Sequence, residues 1–362
     1  MFNTASKNFC NRLQIKLPII QAPMAGHLIS PTFIREVAKA GGLGSLPLGY
    51  LSIPQAQTMI QKTAAETDSP FAVNVFAPSH HSEGPLKPMT KILAQVNLFR
   101  SQIGLTPLSS IPNWTEPHIE ELIDMILQMR VPILSVTFGI LSANSMHRLQ
   151  KQNVFVMGTA TTTEEGRALE ASGCHAIIAQ GYEAGGHRGG GFLASHPGGF
   201  IGTLALVPQM VDAVSIPVIA AGGIMDGRGI AATLALGASA VQMGTAFLTC
   251  TESTASPMHQ QMILDSPAER TCITSVFTGK PVRSFVNEFV TTTEQLLSAE
   301  DLLPYPVQHH LTQELRSAAN QLSQPNCAGL WSGQGTGLSR SLSVEALMAQ
   351  LEQETLDTLA AF

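Results

Sequence analysis

The clearest chemical signal in this sequence is one imidazole, His187, inside a glycine-dense segment that includes Gly185 and Gly186. The segment follows the short apolar run 176–179, which is typical of a buried strand. A strand that opens into a loop with little side-chain bulk lets a flat ligand approach the backbone closely. Residues 180–189 therefore predict a ligand site that His187 faces.

The sequence alone allows three interpretations of His187. It is a hydrogen-bonded loop histidine, a metal ligand, or an acid, base or hydrogen-bond donor in an active site. A metal site requires further ligands. His175, His196 and Glu183 are near in sequence, but they do not have the spacing of a metal-binding motif. We therefore expect a catalytic role for His187 and no metal.

Two further glycine-rich segments, each at an apolar run, indicate an anion site. The residues concerned are Gly222, Gly223, Gln242, Met243, Gly244 and Thr245. Backbone N–H groups without bulky side chains favour an anion, and paired loops after the last two strands are the recurrent phosphate site of α/β barrels. We predict phosphate binding here, and the alternative is that these glycines only allow close helix packing.

Other residues suit the contacts of a planar ring. In the turn at 21–26, Ala22 can present backbone groups to a ring edge while Met24 covers its face, although a tight turn with a core methionine fits equally well. Asn74 is an amide in an apolar run and needs partners, either neighbouring backbone or a ligand. Together with a phosphate site and His187, these residues favour a phosphorylated planar cofactor. FMN fits best, and a sugar phosphate remains an alternative.

The elements that position these residues alternate between short apolar runs and helix-like segments, which predicts βα units and a parallel sheet. Eight such runs favour a (β/α)8 TIM barrel, whose active site lies at the carboxyl ends of the strands. A doubly wound sheet is less favoured because no GxGxxG motif follows the first run. The predicted strands are 17–24, 43–48, 71–76, 133–139, 154–160, 176–181, 217–224 and 240–247.

Two stretches do not fit the βα repeat. Residues 77–130 are rich in proline and too long for one crossover, and a hairpin is predicted around Thr278 in the region after the last strand. We expect residues 1–76 and 131–290 to form the barrel. Residues 77–130 and 291–362 are then expected to form a smaller, mainly helical cap on the substrate side.

Composition narrows the class of protein. A content of 44% hydrophobic and only 13% charged residues is typical of a large buried core, and the net charge of −6 comes without a Lys/Arg block. We therefore expect no nucleic acid or membrane partner and a cytoplasmic protein, as monomer or homodimer. Five scattered cysteines without a CxxC pair indicate reduced structural thiols.

Several ordered motifs together resemble one known family. Residues 21–26, 40–44, 158–160, 179–189, 217–229 and 240–253 resemble nitronate monooxygenase, formerly called 2-nitropropane dioxygenase, and residues 330–334 resemble its tail. The resemblance implies an FMN enzyme that oxidises alkyl nitronates such as propionate 3-nitronate, and also nitroalkanes, with O2. The products are a carbonyl compound and nitrite, which would detoxify nitro compounds.

The resemblance also assigns residues. It implies FMN contacts at Asn74, Gln180, Gly185, Gly223 and residues 242–245, with His187 as the active-site histidine. A nitronate is already an anion, whereas a neutral nitroalkane must first lose a proton, so His187 is expected to serve as donor or base. Many members carry a histidine where this sequence has Thr137, which leaves the substrate range open.

Three other functions are compatible with the same sequence motifs. An FMN-dependent enoyl-acyl-carrier-protein reductase shares the barrel, the glycine–histidine loop and the phosphate site, and it would consume NAD(P)H. A related NADH:quinone reductase would do the same. A barrel that binds flavin without turnover is the third alternative, which the intact histidine segment disfavours.

Overall fold

The computed structural model describes residues 2–26, 28–78, 90–113, 118–193 and 199–361. Eight parallel strands form one sheet in the order β1-β9-β8-β6-β5-β4-β3-β2, which confirms the predicted barrel. The strands of this sheet are β1 (Ile19–Gln21), β2 (Ser45–Pro47), β3 (Ala72–Phe76), β4 (Ile133–Thr137), β5 (Phe155–Ala160), β6 (Ala176–Gln180), β8 (Val218–Ala221) and β9 (Ala240–Met243). A second, three-stranded sheet contains β7 (Gly186–His187), β10 (Thr271–Thr274) and β11 (Val282–Phe285).

The barrel closes between β1 and β2 through a short seam. A parallel bridge joins Ile20 to Leu43, and the Gln21 backbone N–H donates to the Leu43 carbonyl at 2.9 Å. The fully buried Gln21 side chain adds a second link because its Oε1 accepts from the Ser45 N–H at 3.0 Å. A buried amide thus replaces part of the strand ladder at this seam.

Helices surround the sheet and follow the predicted start signals. Ser30 accepts from the Phe33 N–H, Thr162 forms a capping box with Glu165, and Asp226 accepts from the Gly229 N–H. The helices are α1 (Thr4–Leu13), α2 (Pro31–Lys39), α3 (Ile53–Glu66), α4 (Thr90–Gln102), α5 (Ile119–Gln128), α6 (Ala143–Lys151), α7 (Thr163–Ala171), α8 (Thr203–Ala213), α9 (Gly227–Ala235), α10 (Thr245–Leu248), α11 (Pro257–Asp265), α12 (Glu288–Leu296), α13 (Val307–Gln321) and α14 (Val344–Ala360). Short 3₁₀ turns lie at Ala268–Arg270, Ala299–Asp301 and Thr336–Leu338.

Two apolar cores explain why the strand sequences are almost wholly apolar. On β5, Phe155 and Met157 belong to the core inside the barrel, whereas Val156 belongs to the core between the strands and the helices. Helix α1 contributes Phe9 and Leu13 to the inner core. Both faces of each strand are therefore covered, as expected for a parallel barrel.

The segments outside the repeat divide between two environments. Helix α4 lies against α12 and α13, so part of the insertion at 77–130 packs on the region after the barrel. Helix α5 lies against α3 and α6, and α14 lies against α2 and α9. The domain boundaries given above stay a prediction. Among the described residues, no helix has both the length and the apolar character needed to span a membrane.

The second sheet confirms one expectation and corrects another. Strands β10 and β11 form the predicted antiparallel hairpin around Thr278. The segment with His187, expected to be wholly a loop, instead contains strand β7, which pairs with β11 through Val282 opposite His187. A two-residue strand is too short to show a period in the sequence, and its partner lies far along the chain. The pairing fixes the backbone of His187.

Candidate active site

The predicted site residues lie at the carboxyl ends of the barrel strands and in the turns that follow. Asn74 is on β3, Gln180 ends β6 and Gln242 is on β9, while Gly222 and Gly223 follow β8. Because parallel strands all end at one rim, the fold brings these residues to a common face. This face is the mouth of the barrel, and β7 places His187 beside it.

The turn after β1 lies next to the turn after β9. A Cβ atom built on Gly244 would lie 3.5 Å from Met24 Sδ and 3.7 Å from Ala22 Cβ. The structure therefore places Ala22, Met24 and Gly244 side by side. Met24 is partly buried, so its thioether covers this edge of the rim while part of it stays accessible.

His187 is held in an aromatic enclosure. Its ring centroid lies 5.4 Å from that of Phe138, 5.8 Å from that of Tyr305 and 6.4 Å from that of Trp331. Its Nε2 lies 3.0 Å from the Thr278 Oγ1. One polar contact in an apolar setting keeps the ring in a defined orientation.

The protonation state of His187 follows from this enclosure. Burial, reinforced by the Arg316 and Lys280 cations, lowers the pKa of His187 to about 3. Low polarity and positive neighbours both disfavour the imidazolium form. His187 is therefore a neutral imidazole at neutral pH, and of the two expected roles the neutral one, as a base, is the one its surroundings favour.

Two cations, Arg316 and Lys280, lie near His187. Arg316 donates to Thr312 Oγ1 and to the Nδ1 and carbonyl oxygen of His309, all uncharged acceptors. Burial lowers the pKa of Arg316 to about 10, which leaves it protonated at neutral pH. Lys280 Nζ lies 4.8 Å from the centroid of the Phe138 ring. The pocket around His187 is thus positively charged.

The amide of Gln180 shapes the histidine segment. Its Nε2 donates to the His187 carbonyl at 3.0 Å, and its Oε1 accepts from the Gly189 N–H at 2.7 Å. Both ends of the side chain are therefore engaged with the loop backbone. Gln180 positions His187, and its contact with a cofactor stays a prediction.

Asn74 is engaged in a similar way. Its Nδ2 lies 2.9 Å from Ser135 Oγ, 3.2 Å from the Ser135 carbonyl oxygen and 3.1 Å from Thr137 Oγ1. The amide is buried, at 3% exposure. Thr137, which stands where a histidine was expected from the resemblance, thus accepts from Asn74, and the ligand contact of Asn74 also stays a prediction.

The turn after β8 has a backbone that only glycine adopts easily. Gly222 has φ +110° and Gly223 has φ +72°, and a Cβ on Gly223 would lie 3.1 Å from Glu183 Cβ. Gly186 also has positive φ, +72°, but nothing described lies within 4 Å of the position of its Cβ. The first two glycines allow tight backbone packing, and Gly186 borders open space beside His187.

The side-chain oxygen of Gln242 is buried and is a candidate hydrogen-bond acceptor for a ligand. Its Oε1 is inaccessible to solvent and has no hydrogen-bond partner among the residues that the structure describes. Leaving such an acceptor unpaired costs about 1–3 kcal/mol. A donor from a bound molecule at the barrel rim would remove this cost.

The segment after α13 adds a wall that residue types alone did not assign to the site. The Gly333 N–H donates to Thr245 Oγ1 at 2.9 Å, and the Gln334 N–H donates to the Glu183 carbonyl at 2.9 Å. A Cβ on Gly185 would lie 2.5 Å from the Gly333 nitrogen. Any larger side chain at position 185 would therefore clash with this wall. We name residues 331–334 the rim clasp.

Arg283 is a second residue near the site that was not predicted from the sequence. It is only 1% exposed, and it donates from Nε and Nη2 to the Tyr182 carbonyl at 3.1 and 2.9 Å. Its guanidinium also lies 4.6 Å from the centroid of the Tyr182 ring. Arg283 thus holds the backbone of the histidine segment, and the one sign of this in the sequence was a charged residue between Val282 and Phe285 in β11.

An open cavity of about 370 Å³ lies elsewhere, and it is a weaker candidate. Phe155, Pro217 and Ser239 line it, and each lies at or just before the amino end of a barrel strand. Active sites of this fold lie at the opposite end. In the part of the chain that the structure describes, no group of three or more His, Cys, Asp or Glu side chains has the geometry of a metal site.

A parallel barrel with glycine turns after its last two strands and a histidine beside its mouth is the arrangement of a TIM-barrel enzyme. Residues 7–354 match the family model for nitronate monooxygenase. A probable nitronate monooxygenase of Staphylococcus saprophyticus is 41% identical over 94% of this chain and 95% of its own length. One of Bacillus subtilis is 38% identical over 96% and 99%. The chain belongs to the nitronate monooxygenase family and is an oxidoreductase.

Solved structures agree with this assignment. Nitroalkane oxidase from Streptomyces ansochromogenes superposes with a TM-score of 0.89 at 37% identity, covering 98% of this chain and 99% of that one. FabK from Thermotoga maritima superposes with a TM-score of 0.76 at 25% identity, covering 98% and 97%. This second structure is less similar to the chain than the first, in both fold and sequence.

Proposed function

We propose that this protein uses bound FMN and O2 to oxidise alkyl nitronates, and more slowly neutral nitroalkanes, to carbonyl compounds and nitrite, and so detoxifies nitro compounds. The observation that carries the proposal is the setting of His187. A neutral imidazole lies beside two partly buried cations in an aromatic enclosure at the barrel mouth. The names of its relatives, nitronate monooxygenase and nitroalkane oxidase, support the same substrate class.

Residues at the rim fit the proposed cofactor. Gln242 Oε1 is a buried acceptor that a flavin N–H or ribityl hydroxyl would satisfy. The turn at Gly222 and Gly223, together with Gly244 and Thr245, would hold the phosphate with backbone N–H groups. Ala22 and Met24 line the rim beside Gly244, where they would contact the ring. When bound, FMN supplies the electron-accepting chemistry that the side chains lack.

The two cations near His187 favour an anionic substrate. Lys280 and Arg316 lie close enough to His187 to depress its pKa, so the same positive field acts on whatever lies beside the imidazole. In the part of the chain that the structure describes, the hydrogen-bond acceptors of Arg316 are all neutral, which leaves its charge available to an anion. In a pocket of low polarity this attraction is less screened than in water. A nitronate, which carries its charge on the nitro group, is favoured over a neutral molecule.

His187 performs the step that a neutral nitroalkane requires. A nitroalkane has an acidic C–H bond that must lose a proton before oxidation, and a neutral imidazole can accept it. Because the pKa of His187 is low, its imidazole is unprotonated over the whole range from pH 5 to 8. The same low pKa makes it a weak base. We therefore expect nitronates to react faster than the corresponding nitroalkanes.

Oxygen consumption tests the proposal. The purified protein, loaded with FMN, should take up O2 and release nitrite with propionate 3-nitronate or ethyl nitronate. It should show no NADH-dependent bleaching of its visible spectrum under anaerobic conditions. Rapid bleaching by NADH without nitronate turnover would favour the enoyl reductase or quinone reductase. FMN binding with neither reaction would favour a non-catalytic flavin protein.

A further inference from the structure

We propose that Thr278 is a positioning residue that fixes the tautomer of His187, placing the ring hydrogen on Nε2 and leaving Nδ1 as the proton acceptor. The kinetic consequence rests on the proposed function. The structural claim does not, because the position of a hydrogen on the ring can be measured without any turnover.

Thr278 is fully buried. Its Oγ1 lies 3.1 Å from the Lys280 carbonyl oxygen and 3.0 Å from His187 Nε2. A hydroxyl has one hydrogen and two lone pairs, and a carbonyl oxygen can only accept. The hydroxyl hydrogen is therefore directed to the Lys280 carbonyl.

The lone pairs of Oγ1 then face two nitrogens. The Lys280 backbone N–H donates to Oγ1 at 3.4 Å, and His187 Nε2 is the other neighbour. Since the hydroxyl hydrogen is already used, a bond between Oγ1 and Nε2 requires the hydrogen on Nε2. A neutral imidazole carries one ring hydrogen, so Nδ1 is left with a free lone pair.

The hairpin that carries Thr278 also holds the histidine backbone. Val282 on β11 pairs with His187 on β7, and the Arg188 N–H donates to the Pro281 carbonyl at 3.0 Å. The backbone and the ring of His187 are thus positioned by one rigid unit. A shift of Thr278 relative to His187 would require breaking this pairing.

The other neighbours of the ring cannot replace Thr278. Phe138, Tyr305 and Trp331 meet His187 through their rings, at centroid distances of 5.4 to 6.4 Å. Aromatic faces are weak acceptors compared with a hydroxyl oxygen. Among the residues that the structure describes, Thr278 Oγ1 is the polar partner of this nitrogen, so removing that oxygen would bring the two tautomers close in energy.

Two variants test the tautomer directly. Thr278→Val keeps the shape and removes the oxygen, whereas Thr278→Ser keeps the oxygen and removes a methyl group. The protein is labelled with ¹⁵N-histidine, and the His187 signals are assigned by their loss in His187→Asn, since the chain has 11 histidines. We expect a protonated Nε2 and an unprotonated Nδ1 signal in the wild type and in Thr278→Ser. In Thr278→Val both signals should move toward an average of the two tautomers.

A kinetic comparison shows whether the tautomer matters. In Thr278→Val, kcat/KM for nitroethane should fall about twofold, because only about half of the molecules would keep an unprotonated Nδ1 once the two tautomers are similar in energy. For ethyl nitronate, which needs no base, it should stay unchanged. Thr278→Ser should restore the nitroethane value.

Three results would overturn the proposal. They are a wild-type signal with the hydrogen on Nδ1, unchanged His187 signals in Thr278→Val, or equal losses with both substrates, which a purely structural role would give. Failure of the wild type to oxidise either substrate would instead overturn the proposed function, and the NMR measurement would still decide the tautomer.

Discussion

His187 shows how strongly surroundings define a residue's chemistry. An exposed histidine titrates near pH 6.5, but in this enclosure burial and two cations lower its pKa to about 3. The sequence indicated an active-site imidazole and left its charge open. The structure favours the neutral form, because the ring is enclosed and because Arg316 and Lys280 approach it from segments distant in the chain.

Replacing His187 with Asn tests its role as a base. Asn is neutral and forms hydrogen bonds but cannot accept a proton at neutral pH. We expect turnover of nitroethane to fall at least about 100-fold, the usual contribution of a general base, and turnover of ethyl nitronate to fall less than about tenfold. Steady-state oxygen uptake with both substrates measures this split.

The control for that experiment is His147→Asn, because His147 is an exposed histidine on α6. It should leave both rates unchanged. If His187→Asn lowered both rates by the same factor, His187 would act on a step common to the two substrates, and the proton-abstraction role would be wrong.

Gln242 gives a second prediction at the residue scale. Gln242→Leu removes the unpartnered Oε1, so the apoprotein should unfold at the same or a higher urea concentration than the wild type. Binding of FMN should weaken about tenfold, since a buried acceptor for the cofactor is lost. Fluorescence titration with FMN and urea unfolding of the apoprotein are the two measurements.

Thr293→Val is the matched control for Gln242→Leu. Thr293 lies on α12, is fully buried and also has a side-chain oxygen without a partner in the described part of the chain. Its substitution should preserve both stability and FMN affinity. Weak FMN binding in both variants, or in neither, would contradict a cofactor role for Gln242.

At the scale of elements, the β10–β11 hairpin unites residues that sequence patterns treated separately. Its turn carries Thr278, its second strand carries Arg283, and its edge pairs with β7. The hairpin was predictable from the Thr-Gly-Lys turn between two short runs. Its pairing with β7 was not, because that contact depends on two strands distant in sequence meeting beside the barrel mouth.

Gly279 fixes the shape of this turn. It has φ +80°, and a Cβ there would lie 2.3 Å from the Leu303 carbonyl oxygen and 2.6 Å from the Tyr305 nitrogen. Gly279→Ala therefore combines a left-handed backbone with a clash against backbone atoms. We expect a loss of about 3 kcal/mol or more in the free energy of unfolding, measured in urea, and a parallel loss of nitroethane turnover.

Gly104 separates the two causes. It also has φ +80°, but nothing described lies within 4 Å of the position of its Cβ. Gly104→Ala should cost only the conformational term, about 1–2 kcal/mol, and should leave turnover intact. Similar losses of stability in the two variants would show that the contact of Gly279 with residues 303–305 is not tight.

At the scale of the whole molecule, the barrel itself was the most predictable feature. All eight strand positions were recognised because runs such as 71–76 and 154–160 are apolar on both faces. Their ends were overestimated: the first run, predicted as 17–24, forms a strand only at Ile19–Gln21. Rim residues such as Ala22 and Met24 are also apolar, so composition does not mark where the ladder stops.

The site was less predictable than the fold for a related reason. Residue types led to the prediction of a site at His187 and the glycine turns, because an imidazole and a glycine-rich turn can be recognised in the sequence alone. Lys280, Arg316 and Thr278 reach His187 only through the packing of the region after the barrel. No local pattern encodes such contacts. The amides of Gln180 and Asn74 were expected to contact a ligand, and the structure shows that each first binds neighbouring protein groups.

Buried histidines make stability depend on pH. Burial lowers the pKa of His259 to about 4, and it also lowers the pKa of His309 below the usual value. With His187, these groups stay neutral in the folded protein but bind protons in the unfolded chain below pH 6.5. Their contribution is therefore fully present above that pH and is lost as the pH falls toward each folded-state pKa, about 4 for His259 and about 3 for His187.

Urea unfolding between pH 7 and pH 5 measures this effect. We expect the free energy of unfolding to fall across this range, since carboxylates contribute mainly at lower pH. His259→Gln should reduce the slope by up to about 1.4 kcal/mol per pH unit, the value for one proton. An unchanged slope would mean that His259 binds a proton in the folded protein.

The rim clasp is added to the barrel late in the synthesis of the chain. Residues 331–334 contact Gly185 and Thr245, yet they are synthesised after every strand of the barrel. A chain still on the ribosome can thus complete its eight strands while one wall of the site is missing. On the proposed function, the nascent barrel is a cofactor pocket that stays open on one side until translation has passed the clasp.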